Sequence, residues 1–155
     1  METAAAEPNY IPERRPIAAR SRPWAVAIAD RLARWGVSPN AISVAGMFAG
    51  IMAGIAFALT SHGDYGWVGF LVAAVGMQLR LLANMFDGMV AIQTAQASPV
   101  GGLYNEVPDR ISDTAIFVGA GYALYSHPEF GYLAAIGALF TAYVRAQGKA
   151  AGARN

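Results

Sequence analysis

The stretch AISVAGMFAGIMAGIAFALT, residues 41–60, holds twenty residues without a charge. Coiled at ~1.5 Å per residue, a helix of that length covers the ~30 Å hydrocarbon core of a bilayer. Three further apolar stretches follow: GWVGFLVAAVGMQLRLLANMF, which begins just after Tyr65, then TAIFVGAGYALY, then FGYLAAIGALFTAYV from Phe130. The whole chain is 55% hydrophobic and 14% charged, a balance that fits a membrane protein and not a soluble one. The expected fold is therefore an all-α integral membrane domain of about four transmembrane helices, with spans near 39–60, 66–91, 105–125 and 130–148. There is no cysteine, which excludes disulfides, thiolate metal sites and a cysteine nucleophile.

Outward from the first span, VSPNAIS supplies Ser38 as an N-cap and Pro39 at the first helical position. Before it, PWAVAIADRLARWGV can place Trp24, Val26, Ala27, Leu32 and Trp35 on one side and Asp30, Arg31 and Arg34 toward the other. That pattern predicts an interfacial helix over 24–36. Residues 1–23 lack the apolar core of a signal peptide and read as an irregular arm. The membrane domain then occupies 24–155.

The cationic residues fall on one side of this topology. Arg14, Arg15, Arg20, Arg22, Arg31 and Arg34 precede the first span, and Arg145, Lys149 and Arg154 follow the fourth. The loops SHGDYG and SHPE contain neither Lys nor Arg, only Asp64, Glu129, His62 and His127. By the positive-inside rule both chain ends face the cytoplasm, as does the connection between the second and third spans. The expected location is a prokaryotic cytoplasmic membrane, with the two histidines in outer loops and without a catalytic role.

That cytoplasmic connection is where acid concentrates. NMFDGMVAIQTAQASPVGGLYNEVPDRISD, residues 84–113, carries four of the chain's ten carboxylates. On a helix Asn84, Asp87, Gly88 and Ala91 share a face, with Arg80 one turn earlier, while Gly101, Asn105, Asp109 and Asp113 descend in steps of four. A carboxylate costs ~3 kcal/mol near the bilayer centre and less at its edge, so cations or water must compensate. Facing carboxylate and amide oxygens suit hard divalent ions such as Mg²⁺ or Mn²⁺, and Gly88, Gly101 and Ala91 leave room for a bulky ligand. The competing reading pairs Asp87, Asp109 and Asp113 with Arg80 and Arg110 to hold the bundle together; Glu106 and Arg110 have i,i+4 spacing. Gly46, Gly50 and Gly54 form a smooth stripe that serves close packing within the chain or a homodimer contact.

At these residues the chain resembles the CDP-alcohol phosphatidyltransferase family, whose pattern is D-x2-D-G-x2-A-R-x8-G-x3-D-x3-D. The positions fall without a gap on Asn84, Asp87, Gly88, Ala91, Ile92, Gly101, Asn105 and Asp109. SPNAIS also looks like the family's entry to its first membrane helix. Asn stands for Asp at 84 and 105, and Ile92 for Arg. The family usually has six membrane helices, so a C-terminally short chain is expected.

The resemblance implies transfer of a phosphatidyl-type group from a CDP-diacylglycerol-like lipid to a small alcohol or alcohol phosphate, with release of CMP, in phospholipid biosynthesis. It implies two Mg²⁺ or Mn²⁺ ions on Asn84, Asp87, Asn105 and Asp109, with Asp109 also the general base. Substrate contacts would come from Gly88, Ala91, Gly101, Arg80 and Arg110, with Arg145 a further cation for a phosphorylated acceptor. Nucleic acid is not an expected partner. The rival readings are a degenerate, non-catalytic member of the same fold and a small ion carrier.

Overall fold

The computed structural model describes residues 18–62, 66–95 and 99–152. Arg14, Arg15, Asp64 and Arg154, and with them most of the expected N-terminal arm, lie outside the described residues. A short 3₁₀ turn at Ala18–Ser21 leads into α1 (Pro23–Arg34), α2 (Pro39–Leu59), α3 (Gly66–Gln93), α4 (Pro99–Gly121) and α5 (Pro128–Ala150). The described residues contain no strand, and the chain is an all-α membrane protein.

Each helix boundary has a local cause. α1 stops at Gly36, whose φ of +70° is the left-handed conformation that glycine tolerates. There the amide of Gly36 bonds to Ala33 and that of Val37 back to Leu32. Ser38 then caps α2, its hydroxyl accepting from the Ala41 amide at 3.2 Å, with Pro39 next. At the far end of α2, buried Thr60 accepts from the Leu124 amide at 2.9 Å, and Ser61 donates to the Tyr122 carbonyl at 3.2 Å. These two bonds tie the α2–α3 turn to the α4–α5 turn.

α2 is the centre of the bundle, packed on α3 and α4, and α5 packs on α4. The glycine stripe makes the approach possible. A methyl group at Gly50 would lie 2.5 Å from Ser112 Cβ, and one at Gly54 would run into the backbone carbonyl of Ala115. The stripe is thus used inside the chain, with small residues letting helix backbones meet as they do in membranes. Ala53, Ala56 and Ala73 continue this close packing with Phe57, Met77 and Ile116 around them.

The large apolar residues point outward instead. Phe48, Met52, Ile55 and Leu59 on α2 are exposed, as are Leu71, Val75 and Leu79 on α3 and Leu133, Ile136, Phe140 and Val144 on α5. Their spacings of three and four make continuous apolar belts, the surface a lipid-facing helix presents. Among the described residues α2 and α3 are long and apolar enough to cross a membrane, by length and composition. The first two thirds of α4 carry Glu106, Asp109, Arg110 and Asp113, so its apolar run is confined to its last third.

α1 lies against α3 through its small residues and turns its tryptophans outward. Ala25 and Ala29 are fully buried on Ile42, Met85, Phe86 and Val90, with Leu32 and Ala33 alongside. Trp35 stays exposed and Trp24 half-exposed, the latter edge-on to Phe86 at 6.3 Å. Small side chains allow the two helices to approach, which leaves the bulky rings for the surroundings. Gln93 adds a 2.6 Å hydrogen bond to Asp30.

Candidate active site

The last third of α3 and the first half of α4 bring the two halves of the acidic segment together beside α2. Asn84 of α3 donates its amide to Asp109 Oδ2 of α4 at 2.7 Å. Asp87, one turn on along α3, is buried and accepts from Ser43 Oγ of α2, also at 2.7 Å. Gly88 beside it is buried, and Ala91 is partly buried. Asn105 is partly exposed one turn before Asp109. Gly101 belongs to the first turn of α4, but its surroundings lie outside the described residues.

Pro108 is buried inside α4 and has no N–H to offer the carbonyl of Tyr104, so the helix lacks one rung a turn before Asp109. Ile92, at the place of the pattern's arginine, is exposed at the end of α3.

Two arginines run through this cluster. Arg80 reaches from α3 to α4, where Nη2 lies 3.3 Å from Asp109 Oδ1 and 2.7 Å from Asp113 Oδ1. Its Nε donates to Ser112 Oγ at 2.7 Å, and Ser112 in turn donates to the Asp109 carbonyl at 3.0 Å. Arg110 is set on the other side of the same carboxylates. Its Nη1 lies 3.4 Å from Asp113 Oδ2 and its Nη2 4.0 Å from Asp109 Oδ2. Its Nε is 3.3 Å from Glu106 Oε1 without hydrogen-bond geometry, so that contact is one of charge alone.

The pairing of Asp109 and Asp113 with Arg80 and Arg110 is present as the competing reading of the sequence has it, and one guanidinium serves two carboxylates. The two buried serines, Ser43 and Ser112, are the polar partners that the sequence reading passed over. Ser43 was within reach of it: it continues the Gly46–Gly50–Gly54 stripe by three residues, on the face of α2 that meets the site.

The donor set bears on the metals. Asp87, Glu106, Asp109 and Asp113 bring four negative charges, and Arg80 and Arg110 offset two, leaving the charge that one divalent cation balances. Asp109 has Oδ1 against Arg80 and Oδ2 against Asn84 and Arg110. Among the described residues no three of His, Cys, Asp and Glu converge to hold an ion, so amide carbonyls would have to complete any coordination. One hard divalent cation balances the charge of the chain's own groups.

Beside the cluster an open apolar groove of about 440 Å³ runs between α4 and α5, lined by Arg110, Ile111, Thr114, Ala115, Val118 and Leu139. Its walls are apolar along their length, with the Arg110 guanidinium turned to Asp113 beside it, and suit a hydrocarbon chain.

The chain is 29% identical to the archaetidylinositol phosphate synthase of Pyrococcus horikoshii over 81% of its own length and 62% of that protein's. It is 32% identical to the phosphatidylinositol phosphate synthase of Streptomyces avermitilis over 61% of its length and 35% of that protein's. It therefore spans less than two thirds of either relative. No solved structure matches it. The CDP-alcohol phosphatidyltransferase family model matches residues 36–148, which takes in α2 through nearly all of α5 and every position of the acidic pattern, and the chain belongs to that family.

Proposed function

We propose that this chain transfers a phosphatidyl-type group from a CDP-linked lipid to an alcohol acceptor at the cytoplasmic face of a prokaryotic membrane, releasing CMP. The observation that carries the reading is the Asn84–Asp109 hydrogen bond, because it joins the first and last positions of the pattern across two helices. α3, at 28 residues, is about 42 Å long and exceeds the hydrocarbon core. Counted from Gly66, about 20 residues cross that core. Asp87 then lies just past it, at the surface the positive-inside rule assigns to the cytoplasm.

In this reading Asp109 takes the hydroxyl proton of the alcohol as general base. The alcohol oxygen attacks the phosphorus attached to the lipid, the bond from that phosphorus to CMP breaks, and CMP leaves with the electron pair. Asn84 and Arg80 hold the carboxylate in one orientation from two sides, which favours a defined geometry of approach. Gly88 and Ala91 leave space on α3, and Gly101 is assigned the same role on α4. Arg110, beside the groove between α4 and α5, is the cation best placed for a substrate phosphate. A divalent ion would be held by Asp87 and Asp109 with the carbonyl oxygens of Asn84 and Asn105; when bound it supplies charge neutralisation of the pyrophosphate and of the departing CMP. The relatives are named as an archaetidylinositol phosphate synthase and a phosphatidylinositol phosphate synthase, and a phosphorylated alcohol is the acceptor class we favour, with Arg145 as a further cation at the rim.

The ion-pair network supports a second reading, a non-catalytic member whose acids and arginines only hold the bundle together. CMP release from CDP-diacylglycerol with Mn²⁺ or Mg²⁺, with inositol phosphate or a pool of other alcohols, separates the two when the chain is compared with Asp109→Asn. Metal-dependent release abolished by the substitution supports the transferase. No release from a folded chain in any arm selects the second reading.

A further inference from the structure

We propose that Arg80 is a built-in cation standing in for one of two metal ions, seated between Gly50 and Ser112 so as to hold Asp109 and Asp113, and leaving this site a single divalent ion. The inference deepens the proposed function and rests on it for the nature of the site.

Several independent features converge on the guanidinium. Its reach is prepared from α2: Gly50 has no side chain, and a methyl there would lie 3.4 Å from Arg80 Cδ and 2.5 Å from Ser112 Cβ. Its orientation is fixed by the 2.7 Å bond to Ser112, which is fully buried. Its charge is spent on Asp109 and Asp113, at 3.3 and 2.7 Å. The arginine side chain is only 11% exposed, so water screens these contacts little.

The substitutions in the pattern follow the same balance. Asparagine at 84 and 105 removes two negative charges, the amount one divalent cation carries. Asn84 also does what aspartate cannot, since it donates to Asp109 Oδ2 while Arg80 covers Oδ1. Both oxygens of the proposed base are thus matched by donors of the chain itself. A positive charge fixed this close repels a divalent ion by several kcal/mol even at an effective dielectric of ~20.

The test counts Mn²⁺ bound to the purified full chain in detergent by the electron paramagnetic resonance of the free ion, and needs no turnover. The chain is expected to take up one Mn²⁺. Arg80→Gln is expected to bind a second ion, or the first at least about tenfold more tightly. Arg80→Lys, which keeps the charge, should behave as the unsubstituted chain does, as should Arg34→Gln, which removes a charge from exposed α1. A purely structural Arg80 would give looser binding or none on substitution. Two ions in the unsubstituted chain, no binding in either protein, or identical binding in Arg80→Gln would each overturn the proposal. Should Arg80→Gln fail to fold, Arg80→Met, which removes the charge and keeps an unbranched apolar stem beside Gly50, takes its place, and Mn²⁺ binding identical to that of the unsubstituted chain overturns the proposal. A chain that binds one Mn²⁺ in this Arg80-dependent way yet releases no CMP would sink the proposed reaction and leave this inference standing.

Discussion

Asn84 on α3 and Asp109 on α4 meet through one hydrogen bond of 2.7 Å, and the amide hydrogen makes that contact attractive. Aspartate at 84 would set two carboxylates against each other in a partly buried site. Asn84→Asp is expected to lower stability by about 1–3 kcal/mol in chelator-containing buffer, the range for a lost hydrogen bond that leaves a buried group unsatisfied. Added Mn²⁺ should recover most of that loss by binding the folded form. Thermal melts in detergent with and without the ion check both halves. A variant as stable as the parent in chelator would show that the contact does not matter.

The glycine stripe allows a graded test of packing. Gly50→Ala brings a methyl to 2.5 Å from Ser112 Cβ, a neighbour that can shift only by moving α4, and should cost about 1–3 kcal/mol as overpacking does. Gly54→Ala presses on the backbone of Ala115 and should cost more. At Gly137 on α5 nothing lies within 4 Å of the added methyl. There alanine should be neutral or stabilise by about 0.5–1 kcal/mol through helix propensity. Equal melting shifts at all three positions would contradict the arrangement of α2 against α4.

Much of this architecture was legible because its signals are local. Ser38 and Pro39 mark the start of α2 in the sequence, and the uncharged run after them has the length of a span. α3 and α5 begin within two residues of the expected 66 and 130. α4 begins at Pro99, before the span expected from 105 and before Gly101, the first residue placed on its face. Its opening PVGGLYNEVP carries Pro, Gly and polar residues that argue against a helix one at a time, although Pro99 stands at the first helical position, where proline is favoured. That α1 packs on α3 through Ala25 and Ala29 was not legible, because periodicity weighs Trp above Ala whereas close approach of two helices selects small side chains. In the site, spacing along each helix was visible, but not that one arginine would serve two carboxylates. That depends on Gly50 and Ser112, from two other helices.

The alanine face of α1 supports its own expectation. Ala29 is fully buried against α3, and leucine there has no volume to enter. Ala29→Leu should lift α1 from α3 at a cost of about 1–3 kcal/mol, seen as faster amide hydrogen exchange across Pro23–Arg34. Asp30→Ala removes only the exposed bond from Gln93 and should shift stability by less than about 0.5 kcal/mol. Unchanged exchange in Ala29→Leu would mean that α1 is held by something other than this face.

Ser43→Ala addresses Asp87, a residue 4% exposed whose carboxylate accepts the Ser43 hydroxyl at 2.7 Å. A hydrogen bond to a buried carboxylate contributes about 1.5–3 kcal/mol, and removing its donor leaves the charge to find another. The variant is expected to melt lower by that amount without divalent ions and to lose less with Mn²⁺ present, since a bound cation stabilises the same carboxylate. Ser43→Thr keeps the hydroxyl and should preserve much of the bond. The double variant Ser43→Ala, Asp87→Asn completes a cycle in which the coupling between the two positions should exceed about 1 kcal/mol. A coupling near zero would mean that the serine faces Asp87 without holding it, and that the polar start of the glycine stripe has no part in the site.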